Sequence, residues 1–80
     1  MLNAKVYVTL KKGVLDPQGK AVQHSLASLG YGRVEDVRLG KYIEVKLSEP
    51  DREKAKAMLK EMCEKMLANT VIEDYRFEIE

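Results

Sequence analysis

The sequence predicts an α+β domain with the element order β-α-β-β-α-β, in which a four-stranded antiparallel sheet carries two helices on one face. Three observations predict it. Both ends of the chain alternate apolar and polar residues with period two: Ala4, Val6, Val8 and Leu10 at one end, Tyr75, Phe77 and Ile79 at the other. Two stretches between them repeat apolar residues at helical spacing, each behind an Asp-Pro or Pro-Asp start signal. A Gly40-Lys41 pair divides the apolar run at the centre of the chain.

In the first strand Lys5, Tyr7, Thr9 and Lys11 alternate with the apolar set, which leaves one face buried and one polar. Gly13 then punctuates. Asp16 is a good N-cap, and Pro17 follows at the first helical position, where its missing N–H costs nothing. Val22, Leu26 and Leu29 repeat along a helix from Pro17 to about Leu29, and Gly30 is placed to end it in a left-handed cap. Val37 and Leu39 share one face of a second strand, and Ile43, Val45 and Leu47 share one face of a third. Gly40-Lys41 fits a two-residue hairpin loop between them. Val34 is out of step with Val37, which implies a bend or bulge near Glu35-Asp36.

Ser48 and Asp51 are spaced roughly as a capping box at the start of the second helix. Its apolar stripe is Ala55, Leu59, Met62 and Met66, widened by Met58 and Cys63. Asn69 can cap its end. The right-handed crossover rule interleaves the two βαβ-like halves, with the first and last strands adjacent and the first central. This is the ferredoxin-like pattern. The open face of the sheet is expected to carry Lys5, Tyr7, Thr9, Arg38, Tyr42, Glu44, Arg76 and Glu78, a polar surface with two tyrosines that is suited to docking.

The 80 residues make a single domain, 1–80, with a core of limited size. Fourteen basic residues against thirteen acidic ones leave a net charge of +1, which argues against a nucleic-acid binder, whose mark is a basic patch or stripe. The single cysteine, Cys63, cannot form an internal disulfide and fits a reducing compartment. No apolar stretch is long enough to span a membrane and no signal peptide is read, so a cytoplasmic protein is expected.

The residues of catalysis are sparse. His24 is the only histidine and lies on the first helix with no cysteine or second histidine at ligand spacing, so it reads as a helix surface residue. Cys63 lies in a methionine-rich stripe and reads as a buried structural thiol. No Cys/His cluster supports a metal. The segment Lys11-Lys12-Gly13-Val14-Leu15-Asp16-Pro17-Gln18-Gly19-Lys20 lacks the Gly-Lys-Ser/Thr of a phosphate-binding loop. A helix N-terminus can hold an anion, but Asp16 puts a carboxylate there, and a structural cap is the better reading. Gly19 in the first turn weakens the helix, so the close approach of another backbone is expected. The strand around Tyr42 lacks the motif of an RNA-recognition module.

One resemblance goes further. Lys11 with Gly13-Val14-Leu15-Asp16-Pro17-Gln18-Gly19, then Leu29-Gly30, then Val37-Arg38 with Gly40-Lys41, resembles the PurS family, the small subunits of bacterial and archaeal phosphoribosylformylglycinamidine synthase. The likeness covers essentially the whole chain. It implies a non-catalytic assembly subunit for the fourth step of purine biosynthesis, joining a glutaminase subunit to an ATP-dependent synthetase subunit and assisting ammonia transfer. It implies no cofactor in this chain, ATP and Mg being used by the synthetase. It also implies a homodimer or a dimer of dimers. Lys11, Gly13, Asp16, Pro17, Gln18, Gly19, Arg38 and Lys41 become the candidate partner-binding residues, and Tyr7, Thr9 and Tyr42 the candidate dimer interface. The alternative is a ferredoxin-like regulatory domain that binds an amino acid at a dimer interface.

Overall fold

Period-two alternation at both chain ends produces the sheet. A computed structural model describes residues 1–80. Its elements are β1 (Leu2–Leu10), α1 (Pro17–Ser28), β2 (Gly40–Leu47), α2 (Arg52–Met62) and β3 (Glu73–Ile79). The sheet is antiparallel in the order β2-β1-β3, so the first strand is central and the last lies beside it, as expected. Val6 stands opposite Ile43 and Phe77, and Tyr7 stands opposite Tyr42 and Arg76. Ala4, Val6 and Val8 are thereby buried on one face, under Ala55, Leu59 and Cys63 of the α2 region.

The start of α2 is set by Asp51, whose carboxylate accepts the Glu53 N–H at 3.0 Å. Ser48 takes no part, which corrects the expected capping box: Asp51 is itself the cap, and its own N–H donates to Glu49 at 3.1 Å. Beyond Met62 the helix widens into one π-type turn, Cys63–Leu67. Ala55, Leu59, Cys63 and Leu67 recur every four residues, and on a regular α-helix such a stripe drifts about 40° per turn. The wider turn removes that drift and keeps Leu67 packed against the core. Met66 is turned out to 83% exposure, so it is not part of the buried stripe. Asn69 does not cap the helix, whose cap residue is Ala68: its side chain accepts the Val71 N–H in the turn that leads to β3.

The fourth strand is absent. Residues 34–39 form no ladder, and Gly40-Lys41 is no hairpin loop, because both residues already pair with β1, opposite Thr9 and Val8. Gly40 is needed for another reason. A Cβ there would lie 2.3 Å from the Val8 carbonyl oxygen, so only glycine lets the chain enter the ladder at that point. A further correction concerns α1. Only Gly19 of this helix is buried, and Val22 and Leu29 are exposed, so the helix does not cover the sheet. Instead α1 runs outward and the chain returns beside it. The Gln23 amide donates to the Glu35 carbonyl at 3.0 Å and holds the returning segment. The arm closes on Gly30, at φ 100°. There the Tyr31 N–H reaches Leu26 O at 2.9 Å and the Gly30 N–H reaches Ala27 O at 3.1 Å, the paired bonds of a Schellman cap.

Candidate functional site: the loop that opens α1

The link from β1 to α1 is organised by Asp16. Its Oδ1 accepts the Gly19 N–H at 2.9 Å, which caps the helix. Its Oδ2 accepts the Leu39 N–H at 2.9 Å, which ties the returning segment to the same point. These bonds, the Gly19 bond first and the Leu39 bond next, hold the Asp16 carboxyl below its ordinary range, with help from nearby Arg38. Arg38 closes the loop from the other side, its guanidinium donating to the Leu10 carbonyl. Gly19 is explained by the same packing. A Cβ there would stand 2.3 Å from the Val37 carbonyl oxygen. The expected close approach of a backbone exists, and the backbone is the chain's own.

Lys11, Gly13, Asp16 and Arg38 are brought together around one open depression of about 690 Å³. Pro17, Gln18 and Gly19 form the first turn of α1 beside it. Lys41 lies apart from it, in β2, and pairs with Glu73 across the sheet at 3.5 Å. Lys12, Val14, Leu15, Lys20, Glu35 and Asp36 also line the depression and were not singled out from sequence. Sequence adjacency to Lys11–Asp16 was the available signal for Lys12, Val14, Leu15 and Lys20. Glu35 and Asp36 arrive only through the return of the arm, which no local pattern encodes.

On the sheet face away from α2, Tyr7, Thr9 and Tyr42 lie together as the alternation requires. The Tyr7 and Tyr42 rings are 5.3 Å apart between centroids. The Arg76 guanidinium covers the Tyr7 ring at 4.0 Å, a cation–π contact. Lys5 faces Glu44 and Glu78 across the ladder and pairs with Glu80. Arg38, expected on this face, is instead at the α1 loop. His24 is exposed on α1, while Cys63 is fully buried and burial pushes its thiol pKa up. No group of three or more His, Cys, Asp or Glu side chains stands in metal-binding proximity.

A small α+β chain with a buried half-sheet and a projecting arm is also the form of the solved structures it resembles. It superposes on Bacillus subtilis PurS with a TM-score of 0.88 at 60% identity, over 100% of this chain and 99% of that one. It superposes on a chain of PurLQS from Thermotoga maritima with a TM-score of 0.87 at 30% identity, over 100% and 99%. Among curated relatives, the phosphoribosylformylglycinamidine synthase subunit PurS of B. subtilis is 60% identical over 80 residues, which is 100% of this chain and 94% of that protein. The corresponding subunit of Methanocaldococcus jannaschii is 42% identical, over 100% and 96%. These likenesses place the chain among the small subunits of a multi-subunit synthase. The family model described as PurS, phosphoribosylformylglycinamidine (FGAM) synthase, matches residues 3–80, and the chain belongs to that family.

Proposed function

We infer that the chain is the assembly subunit of an FGAM synthase, which brings a glutaminase subunit and an ATP-dependent synthetase subunit together and assists the passage of ammonia between them. The observation that carries this is the match over residues 3–80, together with the likeness to a chain of PurLQS, a three-component assembly. These favour the subunit over an amino-acid-binding regulatory domain. In this reading bond chemistry, ATP and Mg belong to the partners, and the complex works in the cytoplasm. No helix here is long and apolar enough to cross a membrane.

The candidate partner surface is the α1 loop, where Lys11, Gly13, Asp16 and Arg38 meet and Pro17, Gln18 and Gly19 follow. Lys41 lies at its margin on β2, beside Leu39, Gly40 and Gln18. The test is co-purification with glutaminase and synthetase subunits, with and without glutamine and ATP. Glutamine-dependent FGAM synthesis is expected only when all three are present. Full activity from the other two alone would overturn the role.

Self-association belongs to the same reading. An isolated helix of 12 residues is marginal in water, and α1 leaves Val22, Leu29 and Tyr31 uncovered. A second chain laid against this arm would cover them and set a second helix beside α2 on the covered face of the sheet. The face bearing Tyr7, Thr9 and Tyr42 is a separate unpartnered surface. One contact gives a homodimer, and both give a dimer of dimers.

A further inference from the structure

The geometry points to an acidic segment of another synthase subunit as the occupant of the depression beside α1, held by Lys11, Lys12 and Lys20 with Leu15 as its apolar contact. This inference rests on the assembly role above and names the chemistry of the partner.

Six lysines of the chain enter no ion pair: Lys11, Lys12, Lys20, Lys46, Lys54 and Lys60. Three of the six line this one depression. The opposing charges there are largely engaged within the chain. Asp16 has both carboxylate oxygens on backbone N–H groups, and Asp36 accepts the Val37 N–H at 3.0 Å. Arg38 is turned onto the Leu10 carbonyl and fixes the loop. By formal charge the lining holds Lys11, Lys12, Lys20 and Arg38 against Asp16, Glu35 and Asp36, a small positive balance. With Asp16 and Asp36 turned onto backbone N–H groups and Arg38 onto a carbonyl, the three ammonium groups are the donors left to receive a ligand's carboxylates. Leu15, 73% exposed, stands in the same lining. An apolar residue beside free cations fits a polypeptide with mixed acidic and apolar side chains better than a free anion. A nucleic acid is disfavoured by the near-zero net charge.

The experiment measures assembly of the complete three-subunit complex with the wild-type chain and two triple variants. One is Lys11→Gln, Lys12→Gln, Lys20→Gln. The other, Lys46→Gln, Lys54→Gln, Lys60→Gln, makes the same change of charge elsewhere. The first variant is expected to keep its Tm, to assemble about tenfold or more weakly, and to lose much of the salt dependence of assembly. The second is expected to assemble like wild type. Wild-type affinity in the first variant, or an equal loss in the second, would overturn the proposal. So would a rise in Tm with inorganic pyrophosphate that the first variant loses, since that marks a free-anion site. Failure of the wild-type chain itself to assemble would instead remove the assembly role, and this proposal with it.

Discussion

Gly19 occupies a position where one methyl group would be felt. Alanine is the better helix former by up to about 1 kcal/mol, but its Cβ would meet the Val37 carbonyl oxygen, a backbone atom that cannot swing aside. Overpacking of this kind costs about 1–3 kcal/mol, so steric cost should exceed propensity. Gly19→Ala is expected to lower Tm, and a raised Tm would show that the returning segment is free to move. Asp16 makes a prediction in pH. Its folded pKa lies below the ordinary carboxyl value of 3.8, so its contribution is complete above that value and is lost as pH falls through the lower folded one. Asp16→Asn, with a single side-chain acceptor for two N–H groups, should be less stable at neutral pH. Its stability should also fall less steeply than that of wild type in acid titration below pH 3.8.

Among the elements, what was legible in sequence was what is local. β1, β3, the Asp16 and Pro17 start of α1 and the Gly30 stop depend on residues within a few positions of each other, and the structure keeps them. Val34, Val37 and Leu39 have strand-like chemistry, but β2 starts at Gly40 itself, opposite Thr9, which leaves no loop in which residues 34–39 could turn back onto it. The segment's bonds go instead to the Gln23 and Asp16 side chains. Part of the candidate site was hidden for the same reason, since Glu35 and Asp36 reach the α1 loop through the return of the arm. The methionine stripe misled because a regular period was assumed through a turn that is wider than α. Leu59→Ala should therefore cost about 2–5 kcal/mol, as a deletion in a fully packed core. Met66→Gln should fall within about 0.5 kcal/mol of wild type. Comparable losses from the two in denaturant melts would mean that the π-type turn is not kept in solution.

Taken whole, the chain is long and thin, 49 × 24 × 14 Å, with a radius of gyration of 16.0 Å. A compact chain of this length would have about 12 Å. The excess is the arm. If a second chain covers the arm, stability must depend on concentration, because association and folding share one equilibrium. Tm is expected to rise with protein concentration, and light scattering should give at least twice the chain mass. Val22→Glu with Leu29→Glu should reduce that mass and abolish the concentration dependence. A wild-type chain that stays monomeric across micromolar concentrations would contradict self-association through the arm.

The central place of β1 bears on how the chain is made. Its first strand needs one neighbour from the middle of the sequence and another from the last residues, Glu73–Ile79. During synthesis β1 and β2 can pair, but the other edge of β1 stays unpaired until Glu73–Ile79 has been made, with Val6 and Val8 lacking their Phe77 and Tyr75 neighbours. Such an edge is a template for pairing with other nascent chains. The pairing of β3 is therefore what closes the sheet, and a nascent chain halted before β3 would leave that edge of β1 open.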